Sequence, residues 1–143
     1  MINTSNLEEA KKLIKKEQSL KVIIGQEDNF NRKILENGKF DILMSIEEGN
    51  RKNKIRQTDS GLNHILAIIA RKNDIAIGIN LQEIANLNSK EKAERLSKII
   101  QNLKICRKAK TRIAVKTTSL QKARDFLIGL KASTNQIKEA IVF

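Results

Sequence analysis

Four short apolar runs, each separated from the next by an amphipathic stretch, constrain the fold of this chain more than any other feature. Val22-Ile23-Ile24 closes on Gly25, and Phe40–Met44, Ile75–Asn80 and Thr111–Lys116 follow at intervals that each leave room for a helix. Such runs are too short for buried helices and rich in the β-branched residues that suit strands. Between them the apolar residues recur at helical spacing. Phe30, Ile34 and Leu35 share one face, as do Leu62, Ile65, Leu66 and Ile69, and then Ala93, Leu96, Ile99, Ile100, Leu103 and Cys106. A helix over residues 7–17, with Leu7, Ala10, Leu13 and Ile14 inward, precedes the first run. Strands that alternate with helices are parallel and joined by right-handed crossovers. The expected class is therefore α/β, a parallel sheet with alternating helices in the order α-β-α-β-α-β-α-β-α. Ile141-Val142-Phe143 is a candidate fifth strand. Four or five strands cannot close an eight-stranded barrel, so an open sheet or partial barrel within one domain, residues 1–143, is expected.

Local signals set the boundaries. Asn6 or Ser5 can cap the first helix, and Gly38 suits a left-handed stop to the second. The stretch Glu47–Thr58 is polar and aperiodic, a loop. Asp59 or Ser60 is expected to cap the third helix, with Asn73 at its end, and Gly78 marks a close backbone approach inside a strand. The longest helix should run from Ser89 to Lys108. Ser119 can open a helix through Leu130, and Ser133 with Gln136 has capping-box spacing.

Charge narrows the function. The 28 Lys and Arg face 16 Asp and Glu, for a formal +12. Residues 1–60 hold 12 basic and 10 acidic side chains, whereas residues 61–143 hold 16 basic and 6 acidic. Between Glu94 and Asp125 there are 10 basic residues and no acidic one. A polyanion rewards such a concentration, because each neutralised phosphate releases counterions. With 4 Phe and no Tyr or Trp, base stacking is a poor mode of recognition; backbone contacts to structured RNA fit better. Met1–Ala10 is polar and acidic, unlike a signal peptide, and no apolar run reaches membrane-spanning length. The single cysteine, Cys106, excludes an intrachain disulfide and suits the cytosol.

Reactive groups are scarce. A zinc site or a catalytic triad would have to be built around one histidine, His64, and no glycine-rich phosphate loop accompanies it. Cys106 lies on an apolar stripe and reads as core. No catalytic or metal-ligating residue is assigned.

The segment Arg51-Lys-Asn-Lys-Ile-Arg-Gln-Thr-Asp-Ser-Gly-Leu-Asn-His-Ile-Leu66 resembles the signature of ribonuclease P protein component 3, the archaeal relative of the eukaryotic thirty-kilodalton subunit. Ala70-Arg-Lys-Asn-Asp-Ile-Ala-Ile-Gly-Ile-Asn80 extends the match, as do Leu35–Met44 and Leu103–Lys110, so that it covers roughly residues 20–130. The resemblance implies an incomplete or small TIM-like barrel, related to metal-dependent phosphoesterase (PHP) barrels but without their metal ligands. It implies a non-catalytic subunit that binds ribonuclease P RNA, acts on precursor tRNA through the complex, and pairs with component 2 or other subunits. No cofactor is expected on the protein; Mg2+ would serve the RNA. Family members are longer, and the first strand–helix units and a C-terminal extension are expected to be missing. Lys116–Asp125 matches loosely, keeping the hydroxyl cluster and the Arg-Asp pair but not the aromatic and proline residues.

The candidate RNA contacts are expected at loop and helix ends near one rim of the sheet. Arg51, Lys52, Lys54 and Arg56 occupy the loop before the Asp59–His64 helix start, where the backbone of Ser60–Leu62 would add N–H donors for a phosphate. His64, Lys72, Lys108, Lys110, Arg112, Lys116 and Arg124 extend the set. Asp59 is expected to cap rather than to bind magnesium. Three other readings are a general structured-RNA binder without a role in tRNA processing, a degenerate phosphoesterase, and an adaptor for an acidic protein.

Overall fold

Every neighbouring pair of strands is parallel, and the strands lie side by side in chain order. The computed structural model describes residues 1–49, 51–53, 55–56 and 58–143. Its elements are α1 (Leu7–Lys16), β1 (Val22–Ile24), α2 (Asp28–Asn37), β2 (Ile42–Met44), α3 (His64–Lys72), β3 (Ala76–Asn80), α4 (Leu81–Ala85), α5 (Ser89–Ala109), β4 (Ile113–Lys116), α6 (Leu120–Gly129), α7 (Thr134–Glu139) and β5 (Ile141–Val142). The sheet order is β1-β2-β3-β4-β5, and Ile2 adds a parallel bridge to Ile23 at the outer side of β1. The fifth strand expected from Ile141 and Val142 is present, with Ile141 opposite Ala114.

Sequential order with right-handed crossovers puts all the helices on one face. Alternation along the strands bears this out. Ile23, Leu43, Ile77, Ile79, Ile113 and Val115 pack with the helices in one core. Val22, Ile42, Met44, Ala76 and Ala114 form a second, smaller cluster that no helix joins, flanked by Ile24, Ile141 and Phe143. That is the arrangement of an incomplete TIM-like barrel, with helices outside and a concave apolar face inside. Gly78 belongs to this inner face, and a Cβ there would come within 2.7 Å of Ile42 Cγ2 and 3.1 Å of the Met44 sulfur. The close approach expected at Gly78 is thus a requirement of strand packing.

Most boundaries follow their caps. The Asn6 carboxamide accepts from the N–H groups of Glu8 and Glu9, and Ser133 and Gln136 form the expected capping box. The third helix departs from expectation. Neither Asp59 nor Ser60 caps it; Asn63 does, accepting from Leu66 N–H, and the helix starts at His64. Ser60 is buried, and its carbonyl accepts from the Asn102 carboxamide on α5. That tertiary contact fixes the chain before α3, where Gly61 takes a left-handed φ of +75°. Residues Ser60–Leu62 therefore offer no helix N-terminus, and Ile65 is exposed rather than inward.

The stripe on α5 was also misread. Its buried residues are Arg95, Ile99, Asn102, Leu103, Cys106 and Ala109, so a cation and an amide occupy the inner face of an otherwise apolar row. Cys106 is core as expected, and burial pushes its thiol up to about 12.

Candidate nucleic-acid interface

Because all strands run the same way, each loop belongs to one of two ends. The βα end collects the turns that follow strands: Gly25–Glu27, residues 45–63, Asn80 and Thr117–Ser119. The αβ end collects the turns that follow helices: Glu17–Lys21, Gly38–Asp41, Asn73–Ile75 and Lys110–Arg112. The candidate contacts do not gather on one rim. Arg51, Lys52, Arg56, His64 and Lys116 belong to the βα end. Lys72, Lys108, Lys110 and Arg112 belong to the αβ end, and Arg124 lies exposed midway along α6. Lys54 lies outside the described residues.

The βα end is rich in carboxylates and neutralises itself. Arg95, near the start of α5, reaches back to the loop after β2. Its guanidinium pairs with Glu47 at 3.0 Å, with Glu48, and with Glu83 of α4 at 3.2 Å, and it donates to the Ser45 hydroxyl. The Glu47 side chain is 1% exposed and that of Arg95 10%. Burial raises the Glu47 carboxyl above the ordinary range against the pull of Arg95. Glu48 is raised by burial and by Glu83. Burial works against the Arg95 charge, but Glu47 and Glu48 outweigh it and leave the guanidinium more firmly protonated. Three carboxylates share one cation, and the charge of Glu83 makes it harder for Glu47 and Glu48 to lose their protons.

Arg51 is similarly consumed. Its side chain is 8% exposed, paired with Asp28 and Asp59, and it donates to the carbonyls of Glu48 and Gln26. Asp59 is therefore an ion-pair partner that also accepts from Gly61 N–H. Arg51 was expected to meet RNA; the structure spends its donors inside the loop. Lys116 ends β4 on the concave face, its amine 3.7 Å from the Met1 sulfur. Lys52, Arg56 and His64 remain exposed. Among the described residues, no group of three or more His, Cys, Asp or Glu side chains is arranged to hold a metal ion.

The αβ end and the flank of α5 and α6 differ. Lys72, Lys108 and Lys110 are exposed and form no ion pair among the described residues. Arg112 is held by Asp74 at 2.8 Å and also donates to the Asp74 carbonyl. Lys104, Arg107 and Lys131 join this surface and were not singled out by the sequence reading. The first two could have been found inside the acid-free segment, since residues spaced by three share a helix face. Apart from Arg112, these side chains form no ion pair among the described residues, which leaves their charge open to an external anion.

Comparison with known proteins bears on what that surface meets. No protein-family model matches the chain. It is 28% identical over 117 residues, 80% of its length, to ribonuclease P protein component 3 of Methanococcus maripaludis strain C5. It is 32% identical over 87 residues to the component 3 of Methanosarcina mazei. The chain is similar over most of its length to ribonuclease P protein component 3. It spans about half the length of the curated component 3 relatives it matches, 48% of the first and 33% of the second. A chain of a cryo-EM structure of archaeal ribonuclease P with mature tRNA shares the fold, with a TM-score of 0.75 and 24% identity, covering 96% of this chain and 62% of that one. The component 3 resemblance drawn from Arg51–Leu66 and its neighbours is thus matched by similarity along most of the chain. The α/β class and TIM-like arrangement agree with it.

Proposed function

We propose that this protein is an RNA-binding subunit of ribonuclease P, assisting a catalytic RNA in removing the 5′ leader from precursor tRNA. The observation that carries the reading is the similarity to component 3 over 80% of the chain. The unpaired cations of the αβ end and the α5–α6 flank support it, because a subunit that stabilises folded RNA works by neutralising phosphates. In this reading the chemistry and the Mg2+ belong to the RNA, and the protein binds no cofactor. Component 2 is proposed as a protein partner. β5, which pairs only with β4 among the described residues, offers it an open sheet edge. A cytoplasmic location follows from the same reading; no helix among the described residues is long and apolar enough to cross a membrane.

A general structured-RNA binder is the second reading, favoured by the half-length match. Reconstitution separates the two. An archaeal ribonuclease P RNA, precursor tRNA and component 2 are mixed at low Mg2+ with and without this protein, and leader release is followed. Faster cleavage only when the protein is present is the expected result. A folded protein that binds the RNA without accelerating cleavage would move the assignment to the second reading.

A further inference from the structure

We infer that the groove between α5 and the α6–α7 turn holds a stretch of RNA sugar-phosphate backbone; this rests on the RNA-binding reading and assigns it a site. The groove is walled by Lys104 and Arg107 of α5 and by Lys131, and floored by Ile100, Leu103 and Leu130. No carboxylate lines it, and none of its three cations forms an ion pair among the described residues. Arg32, Arg51, Arg95 and Arg112 each have a carboxylate beside them, whereas Arg107, like Arg56, Arg71 and Arg124, forms no ion pair among the described residues. What distinguishes the groove is that it gathers three such cations around an apolar floor with no carboxylate in its lining.

The walls are preformed. Gln136 of α7 is buried, and its amide donates to the Leu103 carbonyl at 2.8 Å while its oxygen accepts from Ser133 N–H. That pair of bonds fastens the α6–α7 turn against α5 and fixes the distance across the groove. The rigid frame lowers the ordering cost when a strand enters.

Lys131 stands at a strained position. Its φ is +59°, in the left-handed region that disfavours any side chain. It closes α6 by donating to the Ile128 carbonyl while Ala132 donates to Leu127, the turn in which glycine is the usual residue. Lysine at a helix C-terminus recovers part of the strain through the helix dipole. Lys39 and Lys110 adopt the same conformation, so the strain alone does not mark a ligand site; it makes Lys131→Gly a way to remove the charge without loss of stability.

The lining favours backbone over bases. No aromatic ring faces the groove, so bases have nothing to stack on, whereas the apolar floor accepts ribose carbons and the cations accept phosphates. Lys108 and Lys110 carry the charge on towards the αβ end, giving a strand a continuous path.

The test measures binding to a transcript of an archaeal ribonuclease P RNA across a series of salt concentrations. Lys131→Gly should melt at a higher temperature than the wild type, because the strain is removed, yet show a salt slope shallower by about one. The combined Lys104→Ala, Arg107→Ala, Lys131→Gly variant should be shallower by about two to three. Lys90→Ala, at the opposite end of α5 from the groove, should leave the slope unchanged. A combined variant with the wild-type slope overturns the groove while leaving the subunit reading intact. Wild-type protein that fails to bind the RNA overturns both. Unchanged RNA binding with lost stimulation of cleavage would assign the groove to an acidic protein and overturn the inference.

Discussion

Arg95 and Arg107 stand on one helix, about 18 Å apart along its axis, and the chain uses them in opposite ways. Arg95 is buried among Glu47, Glu48 and Glu83, where its charge holds the loop after β2 to the start of α5. Arg107 lies exposed beside Lys104 and Lys131 with no carboxylate to meet. Residue type and helix are the same; what differs is the end of the sheet to which each belongs. The loop after β2 and α4 supply carboxylates at the βα end, so Arg95 and Arg51 there are structural. The αβ end offers few, and among the described residues Asp74 alone engages a cation of its turns, Arg112, so the others there remain available. A count of lysines and arginines is therefore a poor map of an interface, and a map of the carboxylates beside them is a better one.

The sharpest way to break this comparison is to remove Arg95. Arg95→Met leaves three carboxylates around an apolar side chain and should cost about 3–5 kcal/mol in denaturant unfolding, with the salt dependence of RNA binding unchanged. A variant of wild-type stability that no longer binds RNA would invert the assignment of the two ends. Next in size is Arg51→Ala, which strands Asp28 and Asp59. It should lose about 1.5–3 kcal/mol and leave the salt slope alone. A shallower slope in a fully folded Arg51→Ala protein would return this residue to the interface.

At the αβ end the readout changes. The triple variant Lys108→Ala, Lys110→Ala, Arg112→Ala should flatten the salt slope by about two rather than three, because Asp74 already holds Arg112. A loss of three would mean that Arg112 leaves Asp74 for a phosphate. Lys110→Gly is a smaller change in the same place. Lys110 has φ +58°, so glycine should gain about 1 kcal/mol and raise Tm by about 3 °C while RNA binding weakens. Calorimetry and a binding titration on the same sample would show both signs.

The smallest expected effect is on pH dependence. The Glu47 carboxyl is raised above its usual 4.5 by burial, so the folded state takes up this proton before the unfolded chain does. Its contribution to stability is then full below about 4.5 and is lost as pH rises through the higher folded value. Relative to Glu47→Gln, the wild type should gain stability as pH falls from neutral towards 5. A constant difference across that range would show that Arg95 holds Glu47 ionised throughout.

Much of the fold could be read from residue order. The runs at Val22, Phe40, Ile75 and Thr111 became β1–β4, and Ile141 and Val142 became β5, because β-branched residues in short apolar runs have few other places to go. The capping box at Ser133 and Gln136 and the close approach at Gly78 were legible for the same local reason. The start of α3 was not: Asp59 and Ser60 are good caps in isolation, but Asn102, far along the chain on α5, takes the Ser60 carbonyl and defers the helix to His64. The candidate site was legible as a surplus of cations and not as a place. Arg95 could have been suspected, since it continues the row Ile99, Asn102, Cys106 and Ala109 that faces the core, and a residue of that charge needs a buried partner.

Sequence alone determined the parallel α/β order, the strand part of the core and the net positive charge, since each depends on residue spacing or on a sum. Tertiary structure alone decided which of those charges are spent and which are free. An ion pair joins residues distant in the chain: Arg95 lies 48 positions from Glu47, and only the packing of α5 across the sheet brings them within 3.0 Å.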